Sequence, residues 1–72
     1  MKISYDSEVD AMYIEIISGD YECRTLRFSD QIALDIGPDE QLVGIEILDA
    51  KKVLGMQSPA TIEIHNVLAK AS

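Results

Sequence analysis

Seventy-two residues, with thirteen acids against six bases and a formal net charge of −7, make one small domain. The charge argues against direct nucleic-acid binding, because Lys2, Arg24, Arg27, Lys51, Lys52 and Lys70 nowhere cluster beyond a pair. The single cysteine, Cys23, excludes an internal disulfide, and no run approaches the roughly eighteen apolar residues of a membrane span.

The first predicted strand is KISY, with Ile3 and Tyr5 on one face and Lys2 and Ser4 on the other. DSEV follows, with turn-forming Asp and Ser. The second strand, DAMYIEII, sets Met12, Ile14 and Ile16 against Ala11, Tyr13, Glu15 and Ile17. A two-residue loop at Ser7 and Glu8 pairs Ile3 with Met12, whereas a three-residue loop pairs it with Tyr13.

SGDYE breaks the alternation at Gly19 and Asp20. RTLRFS is the third strand, with Leu26 and Phe28 together. QIALDI is the fourth, with Ile32, Leu34 and Ile36 facing one way and Ala33 and Asp35 the other. GPDE is a turn, in which Pro38 presets φ and Asp39 suits the corner. QLVGIEIL is the fifth strand: Val43, Ile45 and Ile47 share a face, opposite Leu42, Gly44, Glu46 and Leu48. A glycine inside a strand marks a bulge or a close approach by another group. DAKKVLG reads as a short helix, with Asp49 as N-cap and Gly55 as terminator. Beyond it, Thr61 to His65 alternates like an edge strand, and NVLAKA has helix-forming composition.

The predicted fold is α+β: a small, mostly antiparallel β-sheet meander of four to five strands, with one short helix after the last main strand. Residues 1–72 form a single domain, divided into a core of 1–55 and an appendage of 56–72. The second and fifth strands carry apolar residues on both faces. Their second face is therefore expected to be covered by the helix and tail together with a second subunit, giving a homodimer.

The stretches YDSEVDAMYIEI and GIEILDAKKVL resemble the YuzE-like proteins, a domain-of-unknown-function family (2283) of small bacterial and archaeal chains. The family pattern falls on Tyr5, Asp6, Glu8, Asp10, Tyr13 and Ile14, on Leu34 and Asp35, and on Leu42 to Ala50, so the likeness covers residues 1 to 54. Ser7 stands where the family commonly has proline, and Glu40 where a turn glycine is frequent. The resemblance implies a small α+β fold and brings no catalytic residues, substrate or cofactor. Some relatives sit beside small basic proteins that look like ribonuclease toxins, which implies an antitoxin-like role.

Asp6, Glu8 and Asp10 invite a cation site, but an EF-type calcium loop needs about twelve residues with a bend glycine and a closing glutamate. They read as the solvated turn of a hairpin. One histidine, His65, and one cysteine in different elements do not make a zinc site, and Cys-His catalysis would need Cys23 beside His65. Glu15, Asp35 and Glu46 lie inside strands; if its face is covered, Glu46 needs a Lys or Arg from a neighbouring strand or subunit. The isolated glycines form no phosphate loop.

The expected function is a non-catalytic protein-interaction module, a homodimer whose acidic surface engages a basic partner. The alternative is a small-ligand or divalent-cation binding protein using Asp6, Glu8, Asp10, Asp35 or Glu46. The N-terminal MKISYDSEVD has no apolar signal core, so the expected compartment is the cytoplasm, with no membrane contact.

Overall fold

The computed structural model describes residues 1–56. The expected edge strand at residues 61–65, the helical end and His65 lie outside the described residues.

Strands β1 (Lys2–Asp6), β2 (Ala11–Glu15), β3 (Arg24–Arg27), β4 (Ile32–Ile36) and β5 (Leu42–Ile47) precede the helix α1 (Ala50–Leu54). They form one antiparallel sheet in the order β1-β2-β5-β4-β3. The fold is thus α+β, with a β1-β2 hairpin laid beside a β3-β4-β5 meander and β5 at the centre. Burial follows the period-two alternation most plainly in β1, whose residues alternate between exposed and half-buried.

The hairpin register differs from both expected ones. Ile3 faces Ile14 and Tyr5 faces Met12, because the loop holds four residues, Ser7 to Asp10. Asp10 adopts the left-handed region (φ 54), which aspartate tolerates better than most residues and which lets the longer loop close. Either shorter loop would have omitted this residue from the turn.

One apolar row crosses the sheet: Ile3 faces Ile14, Ile14 faces Ile45, Ile45 faces Leu34, and Leu34 faces Leu26. A parallel row, Tyr5–Met12–Ile47–Ile32, lies beside it. Helix α1 seals this second row. Met12, Ile47 and Ala50 are buried, with Ile3, Tyr5, Ile14, Ile45, Val53 and Met56 packed around them. Burying Met12 and Ile47 contributes about 2 kcal/mol each.

Gly55 ends α1 as expected, in the left-handed region (φ 68). Met56 N–H donates to Lys51 O (2.8 Å) and Gly55 N–H to Lys52 O (3.3 Å), the Schellman pattern. The start of α1 differs from expectation. Asp49 occupies the N-cap position but is left-handed (φ 50), and its side chain makes no cap bond. Asp10 supplies the acceptor instead: Lys51 N–H donates to its Oδ1 (3.2 Å), and Ala50 N–H donates to its carbonyl (3.0 Å).

Gly44 stands beside a bulge. Asp35 faces Gly44 and Ile36 faces Leu42, so Val43 has no partner on β4. The extra residue moves Val43 off the face of Ile45 and Ile47, a correction to the face expected from alternation. The Val43 carbonyl accepts both Ile16 N–H (2.8 Å) and Ile17 N–H (3.2 Å), which closes the end of β2. Pro38–Glu40 forms a single 3-10 turn, with Asp39 and Glu40 both left-handed (φ 58 each). Glu40 therefore carries the backbone shape that glycine adopts without strain.

Candidate functional site

The face opposite α1 carries Tyr13, Glu46, Ala33, Asp35, Gly44 and Thr25 in adjacent register positions. Tyr13 on β2 reaches over Gly44 of β5 and donates from Oη to Asp35 Oδ2 on β4 (2.8 Å). Thr25 on β3 donates to the other oxygen, Asp35 Oδ1 (3.1 Å). Three strands, β2, β4 and β3, are thereby tied side chain to side chain, across β5. The crossing depends on Gly44, because a Cβ there would lie inside the Tyr13 hydroxyl and Cζ and 3.0 Å from Cε2. The aromatic ring covers the glycine and replaces the side chain it lacks.

Burial first, then the bond to Asp35, pushes the Tyr13 hydroxyl up to about 12. A phenol held neutral to that pH is a donor and not a base at physiological pH. Because the folded pKa lies above the unfolded value near 10, the contribution is fully present below pH 10. It is lost as pH rises through about 12. A Tyr13→Phe chain is therefore expected to lose less stability than the wild type between pH 10 and 12 in urea titrations. Parallel curves over that interval would count against the buried bond.

Beside this pair lies a depression of about 500 Å³ lined by Glu15, Asp20, Glu22 and Asp35, by Tyr13 and Tyr21, and by Cys23 and Val43, with Ile17 and Gly19 completing it. No Lys or Arg among the described residues lines it. The loop between β2 and β3 forms its outer wall. Gly19 takes φ 127 and lets the Tyr21 ring fold back against it, with a Cβ there falling 3.1 Å from Tyr21 Cε2. Val43, turned by the bulge, supplies the apolar floor. Cys23 is a half-buried free thiol that donates to the Tyr21 carbonyl (3.5 Å).

The five residues singled out from sequence do not form one site. Asp6 and Asp10 bond within their own hairpin and to α1. Asp6 Oδ1 accepts Glu8 N–H (3.0 Å), an Asx turn, and Asp10 Oδ1 accepts the Tyr5 hydroxyl (2.7 Å). The bond to Asp10, then burial, raises the Tyr5 pKa. Glu8 is exposed. Asp35 belongs to the depression, whereas Glu46 is exposed between Tyr13 and Ala33. Glu46 is exposed, so the covered face that would call for a cationic partner is not found among the described residues. The ion pair among those residues joins Arg24 to Glu40. No three His, Cys, Asp or Glu side chains among them converge on a metal position.

Tyr13, Thr25, Tyr21, Asp20 and Glu22 were not picked out from sequence. One usable signal existed: a glycine inside a strand, which marks a close approach by another group. The acids of the β2–β3 loop gave none.

A five-stranded antiparallel sheet, covered on one face by the short helix that follows its last strand and open on the other among the described residues, defines a small α+β sheet protein. The chain belongs to the family described as protein of unknown function (DUF2283), whose model matches residues 2–51. No curated protein and no solved structure matches it. No helix among the described residues is long and apolar enough to cross a membrane.

Proposed function

We propose that this chain is a non-catalytic interaction module whose acidic depression engages a basic protein. One observation carries the reading: Glu15, Asp20, Glu22 and Asp35 share a concave surface with two tyrosines and, among the described residues, no cation. Such a surface steers a basic partner towards it and offers its Lys or Arg side chains both carboxylates and aromatic faces. Tyr13, held neutral, braces the floor through its bond to Asp35. The family resemblance makes an antitoxin-like role the sharpest form of the idea. A free thiol suits the cytoplasm, which is the proposed compartment.

The test is affinity capture from the source cell's lysate at low and moderate salt. A stoichiometric basic protein is expected, released as salt rises. The double charge reversal Glu15→Lys, Glu22→Lys is expected to weaken that complex by about tenfold or more, about 1.4 kcal/mol. Capture indifferent to both salt and charge reversal would sink the reading.

A second reading draws on the size of the depression, since about 500 Å³ suits a small ligand. Of the acids first considered for a ligand or divalent cation, Asp35 alone lines it. A saturable amine titration that shifts the NMR signals of Tyr13 and Tyr21, with empty lysate capture, would favour that alternative.

A further inference from the structure

We infer that two copies of this chain join through β3, edge to edge, with Leu26 at the two-fold axis, making one ten-stranded sheet. This places the homodimer's interface at an edge of the sheet rather than over its second face, and it does not depend on the basic partner.

β3 is an open edge. All four of its residues are exposed, Leu26 to 49% and Phe28 beyond it to 76%. The apolar row that begins at Ile3 and crosses Ile14, Ile45 and Leu34 stops at Leu26, on this edge. The opposite edge, β1, differs: its apolar residues Ile3 and Tyr5 already pack on the core under α1. An apolar row ending in a half-exposed leucine at an unpaired strand continues naturally into the same row of a second copy.

Backbone direction limits the register. In an antiparallel ladder, hydrogen-bonded and non-hydrogen-bonded pairs alternate. Phe28 N–H donates inward to Ile32 O (2.9 Å), so Leu26 and Arg24 also turn their amide groups toward β4. Thr25 and Arg27 therefore turn theirs outward, and none of the loop or cap bonds among the described residues takes them. A symmetric partner must match outward residues with outward residues. Pairing Thr25 with the partner's Arg27 does so twice and sets Leu26 against the partner's Leu26 in the closely spaced, non-hydrogen-bonded position. It also sets Arg24 against the partner's Phe28, a cation over an aromatic ring. Shifting the register by two residues one way opposes Arg27 to the partner's Arg27; shifting it the other way separates the leucines.

Charge selects the same edge. Two copies at −7 each repel. β3 carries two of the chain's six bases, so repulsion is least there. Arg24 is itself paired with Glu40, and Arg27 donates to the carbonyls of Ser29 and Asp30 (3.3 Å each), so the first charge is paired and the second hydrogen-bonded within its own chain.

Sedimentation equilibrium between 10 µM and 1 mM protein tests association, and two cysteine variants in a Cys23→Ser background test geometry. The wild type is expected to dimerise, more tightly at high salt because the screened repulsion is between like charges. That sign is opposite to the one expected for the basic partner, so the two ideas fail separately. Leu26→Lys is expected to raise the dissociation constant by about thirtyfold or more with unchanged far-ultraviolet circular dichroism. On oxidation, the Leu26→Cys chain should readily form a disulfide with the same position of its partner, because the two Cα atoms lie about 4.5 Å apart. The Phe28→Cys chain should not, since the two copies of that position sit roughly 13 Å apart along the strands. A wild type that stays monomeric to 1 mM overturns the inference. So does a dimer in which Phe28→Cys cross-links as fast as Leu26→Cys, or in which Leu26→Lys changes nothing.

Discussion

A Gly44→Ala chain is expected to lose about 2–4 kcal/mol of stability, through overpacking against Tyr13 and loss of its bond to Asp35. The sign is opposite to the general one, since alanine inside a strand ordinarily improves on glycine by lowering the entropy of the unfolded chain. Here the added methyl group has no room: Tyr13 lies directly across the position on its way from β2 to β4. The midpoint of thermal unfolding should fall by on the order of 10–20 °C for a domain this small. Tyr13→Phe does not relieve the clash, because the ring itself occupies the space. Tyr13→Ala does, so the double variant Tyr13→Ala, Gly44→Ala should cost much less than the sum of its parts. Urea denaturation of the four chains measures the coupling, and additive costs would remove the contact from the account of this face.

Asp10→Ala carries the second largest expected effect, about 2–3 kcal/mol. Two losses combine. The amide of Lys51 loses its cap, worth about 0.5–2 kcal/mol, and alanine must hold the left-handed backbone that aspartate tolerated, at about 1 kcal/mol. The Tyr5 hydroxyl also loses its acceptor. Asp10→Asn keeps an acceptor and tolerates φ 54, so it should remain close to the wild type. Asp10→Gly frees the backbone but removes the cap and should fall between them. The order Asn, Gly, Ala in denaturation midpoints separates the two contributions. A chain in which Gly exceeded Asn would show that the loop is strained and the cap is idle.

The family's acidic opening motif thus joins elements as well as bearing charge. Asp6 shapes the turn, and Asp10 fastens that turn to a helix that begins about forty residues later in the chain. The acids at work on the open face are others: Asp35, which braces Tyr13 and Thr25, and Glu15, Asp20 and Glu22 around it.

The sequence by itself determined what depends on neighbours in the chain. Period-two alternation placed all five strands, Pro38 and Asp39 marked the turn before β5, and Gly55 marked the end of α1, because each expresses a local backbone preference. Gly44 pointed to a bulge or a close approach, and the structure has both, a bulge beside it and Tyr13 over it. The tertiary structure decided the rest. Hairpin register turned on one left-handed aspartate, and a one-residue bulge carried Val43 to the face opposite the one its alternation implied. Asp10 capping α1 and Tyr13 meeting Asp35 join residues 41 and 22 positions apart. No local signal encodes such pairs; they exist because β5 entered between β2 and β4 and brought their side chains onto one face.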